Sequence, residues 1–187
     1  LTNTRVWIVD PIDGTKALVN RRPEFCISAA LIERGVPVVA AILNPSTDEL
    51  FTAVRGGGLF LNGTRVTLSP THGFDPIIMV NAWEFRSDRW STLAETARCR
   101  PMYSIANALA LVAAGRVQAV LTIEPENEWD LAAGVLLIEE SGGATSDPAG
   151  KPFVFKQPTP RIRGVTALAA TAGKDPRATT QTHAEQA

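Results

Sequence analysis

The chain has 187 residues, of which 45% are hydrophobic and 20% charged, a balance typical of one globular domain and unlike that of a disordered protein. Its formal net charge is −1, so the composition gives no overall positive field for a nucleic acid polymer or an anionic membrane. No apolar run approaches the roughly 18 residues of a membrane span, and no signal-like leader is present, so we expect a cytoplasmic protein.

Histidine and cysteine are too scarce for several common kinds of active site. The two cysteines, Cys26 and Cys99, have a spacing that matches no zinc site, and we expect two reduced thiols. The two histidines are His72 and His183, so a Ser-His-Asp triad would depend on His72 alone. Any chemistry is therefore expected to use carboxylates, hydroxyls and backbone groups.

The first part of the chain predicts an antiparallel meander. A buried-type apolar strand comes first, and a short helix is expected to follow it and to reach Val19. The Asn62-Gly63 pair is a strong signal for a two-residue hairpin. The predicted strands are, in chain order, 6–9, 25–33, 36–43, 50–54, 59–61 and 64–68.

The second part of the chain mixes helices with strands. Ser104 is a suitable N-cap for one helix, which Gly115 would end. The predicted elements are strand 77–80, helix 87–97, helix 105–114, strand 117–123, helix 129–141 and strands 153–155 and 165–169. Because strands and helices come in runs, we predict an α+β or layered arrangement rather than a doubly wound parallel sheet. Residues 1–172 are expected to form the domain, and 173–187 a disordered polar tail.

Two aspartates follow the first predicted strand. Asp10 ends the strand and Asp13 lies three residues on, so both carboxylates can converge on one point. Gly14 permits a positive φ, and Thr15 offers a hydroxyl and backbone N–H groups to an anion. Carboxylates beside an anion pocket suit Mg²⁺ holding a phosphate. The alternative is a plain strand and turn with Asp10 as a cap, but residues 16–22 do not continue as a paired strand.

A third aspartate, Asp130, opens a later predicted helix whose first turn is small. An aspartate at a helix start is often only an N-cap, and the acidic run 124–128 before it is typical of a solvated loop. A Mg²⁺ site, however, needs a further carboxylate from elsewhere in the chain. Considered together, the two acidic segments therefore favour one shared site.

These segments resemble the motifs of the inositol monophosphatase family of Mg²⁺-dependent, lithium-sensitive phosphatases. Residues 10–15 read Asp-Pro-Ile-Asp-Gly-Thr, like the family's first motif, and residues 129–134 read Trp-Asp-Leu-Ala-Ala-Gly, like its second. A glycine loop with the Asn-Gly hairpin lies between them. The resemblance covers about residues 5–155 and implies a layered αβαβα phosphatase fold.

The resemblance also implies roles for individual residues. The implied Mg²⁺ ligands are the carboxylates of Asp10, Asp13 and Asp130 and the carbonyl of Ile12. Asp13 and Thr15 would be catalytic, with the Thr15 hydroxyl orienting the attacking water. The substrate phosphate would lie against Gly14, Thr15 and Asp130, and no covalent enzyme intermediate is required.

Within the family, residues 13–16 followed by 20–25, together with 127–130, resemble the bacterial 3'(2'),5'-bisphosphate nucleotidases. The implied substrate is adenosine 3',5'-bisphosphate, with residues 20–24 and 103–107 beside it. The alternatives are an inositol-1-monophosphatase, a histidinol-phosphatase-like enzyme, or a catalytically impaired fragment that keeps only the fold. We expect a small phosphorylated metabolite as partner and no nucleic acid polymer or membrane, and the prediction allows a homodimer.

Three features differ from the family pattern. Leu18 stands where an aromatic residue is usual, and residues 103–106 replace a Gly-Ser or Gly-Thr pair. The family's upstream helix, with its Glu-Glu metal-binding pair, belongs well before Asp10, and the chain has nine residues there. We therefore expect the 187-residue chain to show reduced Mg²⁺-dependent activity.

Overall fold

The computed structural model describes residues 3–68, 76–86 and 90–170. The two histidines and the predicted polar tail lie outside these ranges, so the expectations for them stay predictions. Both cysteines carry free thiols, as expected from their spacing. No helix within the described ranges is long and apolar enough to cross a membrane.

The first half forms the predicted meander, a six-stranded antiparallel sheet whose strands lie in chain order. The strands are β1 (Arg5–Asp13), β2 (Cys26–Glu33), β3 (Val36–Asn44), β4 (Glu49–Val54), β5 (Gly58–Leu61) and β6 (Thr64–Arg65), with helix α1 (Thr15–Val19) after β1. The Asn62-Gly63 hairpin is confirmed, because both residues adopt the positive φ that this turn requires, 48° and 77°. The last strand is shorter than predicted.

The second half forms a mixed five-stranded sheet of order β10-β11-β9-β7-β8. Its strands are β7 (Ile77–Asn81), β8 (Arg98–Met102), β9 (Ala119–Asn127), β10 (Ala144–Ser146) and β11 (Arg161–Leu168). Strand β7 pairs in parallel with both β8 and β9, whereas β11 is antiparallel to β9 and β10. The predicted strand at 153–155 is wrong, because Phe155 instead donates its N–H to the Gly35 carbonyl (3.0 Å) and buries its ring.

Three helices accompany this second sheet, namely α2 (Ser91–Thr96), α3 (Ile105–Ala113) and α4 (Glu128–Glu140). The Ser104 hydroxyl accepts the Asn107 N–H (3.1 Å), which confirms the predicted N-cap of α3. Helix α4 packs against β2 and β3 on one side and against β10 and β11 on the other. Because it lies between two apolar faces, its residues 130–138 are all buried. This β-α-β layering confirms the α+β expectation.

The first strand differs from its prediction as a buried strand. Trp7 and Val9 are 58% and 50% exposed, because alternation along β1 points them to the face opposite α4. The inward face of the sheet is supplied mainly by the next strands, where Ala30, Ile32 and Ile42 are fully buried. The apolar run at residues 6–9 predicted a strand, but it could not show whether one face or both faces of that strand are buried.

The contact between α3 and α4 depends on a glycine. A Cβ added to Gly134 would lie 2.5 Å from the Leu109 Cβ, closer than two side chains can approach. The small residues 132–134 lie in the second turn of α4, because the helix begins at Glu128, and they allow close helix packing.

We predict that Gly134→Ala lowers the free energy of unfolding by about 1–3 kcal/mol, because overpacking outweighs the better helix propensity of alanine. Urea unfolding followed by circular dichroism measures the change. In a Gly134→Ala background, Leu109→Ala removes the Leu109 Cδ1 and Cγ atoms that would lie 2.6 and 3.1 Å from the new methyl group but keeps the Cβ, so the losses from the two changes should be less than additive. Strictly additive losses from the two changes would contradict the packing explanation.

Candidate active site

The structure brings the three predicted aspartates together. Carboxylate oxygens of Asp10, Asp13 and Asp130 all lie within 4.8 Å of one another. The first two come from the end of β1, and the third comes from the first turn of α4, more than a hundred residues later in the chain. Folding therefore makes one acidic cluster from two separate sequence motifs.

A bulge at the end of β1 lets its two aspartates face the same way. Asp10 pairs with Ser28 and Asp13 with Cys26, so three steps along β1 match only two along β2. Side chains three residues apart on a regular strand point to opposite faces, and the extra residue corrects this alternation. Asp10 Oδ1 also accepts the Ile12 N–H (2.9 Å), which fixes the turn between them.

The turn continues through Gly14 into α1. Gly14 has a φ of 85°, and an added Cβ would lie 2.7 Å from the Glu24 carbonyl oxygen and 2.8 Å from the Ser104 Cβ. Only glycine fits this conformation and this space. The Thr15 hydroxyl donates to the Ile12 carbonyl (3.2 Å), so the groups predicted as water-orienting and as metal-ligating are neighbours.

The start of α3 anchors Asp13. The Ser104 hydroxyl and the Ala106 N–H both donate to Asp13 Oδ2, at 2.6 Å and 2.8 Å. Sequence reasoning identified Ser104 only as an N-cap and missed this second role. A serine that caps a helix gives no sequence signal for a distant carboxylate, although the family motif placed residues 103–107 beside the substrate.

Asp130 is anchored by its own helix start. Its Oδ2 accepts both the backbone N–H (2.8 Å) and the side-chain amide (3.0 Å) of Asn127. Asn127 is the N-cap of α4 and Asp130 lies three residues on, so the expectation that Asp130 itself begins the helix is off by two residues. The Asp130 carboxylate thus accepts hydrogen bonds from the N-cap residue and still lies close to the other two aspartates.

The acidic run 124–128 is not a solvated loop. Glu128 is buried in α4, and its two oxygens accept the Lys156 and Gln157 N–H groups, both at 2.8 Å. Glu126 is partly buried at the end of β9 and hydrogen-bonded to the Asn81 side chain. These acids join loops to the layered core, a role that the run of like charges did not predict.

The two segments expected to border a substrate lie together beside Gly14. The Arg22 guanidinium stacks 4.2 Å from the centre of the Tyr103 ring. The buried Asn44 amide donates to the Pro23 carbonyl (2.9 Å) and to the Asn107 side chain (3.0 Å), which ties residues 20–24 to residues 103–107. The structure therefore places both segments next to the first acidic motif.

Comparison with known proteins agrees with this geometry. The sequence profile of the inositol monophosphatase family matches residues 1–185. The chain belongs to the inositol monophosphatase family. Among curated relatives, it is 39% identical over 153 residues to Nus factor SuhB of Escherichia coli K12, covering 77% of the chain and 57% of that protein. It is 37% identical over 163 residues to inositol monophosphatase 2 of Solanum lycopersicum, covering 82% and 62%.

Solved structures show the same fold in this family. An inositol monophosphatase from Anabaena superposes with a TM-score of 0.78 at 31% identity, over 96% of the chain and 76% of that structure. The extragenic suppressor protein suhB of Bartonella henselae gives 0.79 at 31% identity, over 99% and 74%. The chain thus spans about 57–62% of the length of the curated relatives named above. These relatives do not confirm the expected closeness to bisphosphate nucleotidases.

Burial and mutual repulsion change the acidity of this inositol monophosphatase-family cluster. Burial raises the pKa of Asp13 to about 6, with a further rise from Asp10, although the Ser104 and Ala106 hydrogen bonds oppose it. Burial raises the pKa of Asp130 to about 7, the Asp13 charge adds to this, and the Asn127 bonds oppose it. Burial and the Asp130 and Asp13 charges raise the pKa of Glu126 to about 8. Crowded carboxylates of this kind favour a cation among them.

We predict that, in the presence of a chelator, the melting temperature falls as pH rises from 5 to 8. Asp13 and Asp130 titrate near 6 and 7 in the folded chain but near 3.8 when unfolded, so the folded state holds protons that the unfolded state has released. The stabilisation is complete below about pH 4 and is lost as pH rises through both folded-state values.

Differential scanning calorimetry at several pH values measures this effect. Asp130→Asn should flatten the decline, because the amide can still accept the Asn127 N–H and carries no titrating proton. Glu95→Gln, an exposed acid on α2, is the matched control and should leave the decline unchanged. A melting temperature that rises over this range in the chelator would contradict the prediction.

Proposed function

We propose that the chain carries the site of a Mg²⁺-dependent phosphomonoesterase that acts on small phosphorylated metabolites. The observation that carries the proposal is the convergence of three carboxylates from two separate family motifs within 4.8 Å. The proposed ligands are Asp10, Asp13, Asp130 and the Ile12 carbonyl. A cytoplasmic location and a homodimer are part of the same proposal and rest on the sequence alone.

The donor set fits a hard divalent cation. All of the proposed donors are oxygens, which Mg²⁺ prefers. Burial, with a further contribution from neighbouring negative charge, raises the pKa of Asp13 and Asp130, and a cation would offset this cost of ionisation. When bound, Mg²⁺ would lower the pKa of water, neutralise phosphate charge and stabilise the leaving oxygen. Neither a histidine nor a reactive thiol is needed, and burial raises the pKa of Cys26 to about 12, so this thiol stays protonated at neutral pH.

The residues around the acidic cluster would bind the phosphate, orient the attacking water and hold the carboxylates in place. Backbone N–H groups at Gly14 and Thr15 would bind the phosphate, and the positive φ of Gly14 shapes the turn that carries them. The Thr15 hydroxyl, now bonded to the Ile12 carbonyl, would orient the attacking water. Ser104 and Ala106 hold the Asp13 carboxylate in one orientation, so that little reorganisation is needed during reaction.

Two substrates fit the site. The first is adenosine 3',5'-bisphosphate, supported by residues 13–16 and 20–25 and by the exposed Lys16, which lies two residues after Gly14 in the chain. The second is inositol 1-phosphate, supported by relatives that are named inositol monophosphatases. Both are small phosphomonoesters, and the acidic cluster itself would not distinguish them.

We predict that phosphate release by the chain depends on Mg²⁺ and falls at least ~100-fold in Asp10→Asn or Asp130→Asn, since even indirect partners of metal ligands contribute 10–100-fold. Phosphate release is measured with a dye assay, and Mg²⁺ binding is measured in parallel by calorimetry at pH 8. Glu95→Gln should change neither quantity. Turnover that survives a chelator, or Asn variants that remain fully active, would contradict the proposed site.

We predict that kcat/KM is higher for adenosine 3',5'-bisphosphate than for inositol 1-phosphate, because the exposed Lys16 can bind a second phosphate. Steady-state kinetics with both compounds under the same Mg²⁺ concentration gives the ratio. The reverse order would assign the chain to the inositol-phosphate alternative while leaving the phosphomonoesterase proposal intact.

A further inference from the structure

One side of the acidic cluster is bordered by the ends of parallel strands. Strands β7 and β8 end side by side, with Asn81 opposite Met102. Residues that follow parallel strands at this edge are placed to contact a ligand. Trp83 follows β7 and Tyr103 follows β8, so two aromatic side chains lie at the same edge as the acids.

Trp83 lies close to two basic side chains and is not packed into the core. Its side chain is 68% exposed, although tryptophan is among the largest apolar residues. Lys16 Nζ lies 5.3 Å from the centre of its ring, and the Arg86 guanidinium lies 5.8 Å from it. Lys16 directly follows Thr15, so these three residues, the Trp83 cluster, adjoin the proposed phosphate cradle.

Neither cation of the Trp83 cluster has an acidic partner among the described residues. The four ion pairs found within the described ranges use Arg5, Arg22, Arg55 and Arg116, and none uses Lys16 or Arg86. A tryptophan ring attracts a cation through its quadrupole but does not neutralise it. Lys16 and Arg86 therefore present positive charge to solvent beside a site built to handle a phosphate.

We propose that the Trp83 cluster is a subsite for the second phosphate of a bisphosphorylated substrate. This inference rests on the proposed function and deepens it by naming what selects the substrate. A neutral sugar or polyol ring offers no charge to two cations that have no acidic partner among the described residues, whereas a second phosphate does. Trp83 contributes by attracting both cations to within about 6 Å of one ring.

The subsite is distinct from the cradle for the reacting phosphate. If Lys16 instead contacted the reacting phosphate, its loss would weaken every substrate equally. A second-phosphate subsite predicts a loss confined to bisphosphates. The second phosphate could belong to a nucleotide or to an inositol bisphosphate, because the cations recognise only the charge.

The experiment compares two pairs of substrates that differ only by the second phosphate. The pairs are adenosine 3',5'-bisphosphate with adenosine 3'-monophosphate, and inositol 1,4-bisphosphate with inositol 1-phosphate. Lys16→Gln and Arg86→Gln should each lower kcat/KM about two- to fivefold for bisphosphates, the range of an exposed ion pair, and leave monophosphates unchanged. The preference for bisphosphates should also shrink as salt is added.

Two matched variants control for general effects on the fold. Arg98→Gln removes an exposed arginine at the opposite end of β8, and Trp7→Leu removes an exposed tryptophan from the outer face of the first sheet. Neither should change the ratio of bisphosphate to monophosphate activity. Trp83→Leu should lower that ratio. Equal losses on both members of a pair would overturn the subsite, as would a preference that follows the adenine ring rather than the second phosphate.

A binding measurement makes the subsite testable without turnover. Adenosine 5'-monophosphate carries only the second phosphate, and calorimetry should show binding that Lys16→Gln and Arg86→Gln each weaken two- to fivefold. Adenosine should bind more weakly to the unaltered chain and equally to all variants. An inactive chain that keeps this pattern would support the subsite and assign the chain to the catalytically impaired alternative. Adenosine that binds as tightly as its 5'-monophosphate would overturn the subsite.

Discussion

The hydrogen bonds between Asp13 and the start of α3 are the interaction on which the site depends. Through Ser104 and Ala106 they join the end of β1 to a helix that begins about ninety residues later. They also fix one carboxylate of the acidic cluster relative to the central helix layer. Without them, a buried carboxylate would lack its donors, and β1 would lose its link to α3.

The burial that orders the carboxylates of the acidic cluster also raises the free-energy cost of ionising them. The layers place Asp13 and Asp130 away from water and close to each other, and their pKa values rise as a result. The start of α3 supplies hydrogen-bond donors to Asp13, and the N-cap of α4 supplies them to Asp130. These donors do not remove the repulsion between the two carboxylates. A divalent cation would, so the fold carries an electrostatic reason for metal binding in addition to the family resemblance.

Much of the fold followed from local patterns in the sequence. Alternating apolar residues and the Asn-Gly pair predicted the meander, and Ser104 with Gly115 predicted the bounds of α3. Strands β8 and β10 were missed because they are short and carry few apolar residues, and their pairing is decided by neighbours distant in the chain. The pair Phe153 and Phe155 suggested a strand, but Phe155 instead bonds to the Gly35 carbonyl and buries its ring.

The site was predictable to a different degree. The residue types of the two motifs indicated a shared metal site, and the structure brings those carboxylates together. The anchoring roles of Ser104 and Asn127 and the burial of Glu128 could not be predicted, because each depends on partners that only folding brings close. The choice among substrates within the family depends on side chains around Gly14. No general sequence pattern describes these side chains, so the substrate could not be predicted from the residues alone.

The central claim is that the three carboxylates bind one divalent-cation site. Anomalous diffraction from crystals of the chain soaked in Mn²⁺ tests it most directly, because Mn²⁺ substitutes for Mg²⁺ and has a measurable anomalous signal. We expect an anomalous peak in contact with oxygens of Asp10, Asp13 and Asp130, at about 2.0–2.3 Å, as for hard cations in general. Ordered carboxylates with no peak between them at saturating Mn²⁺ would contradict the account.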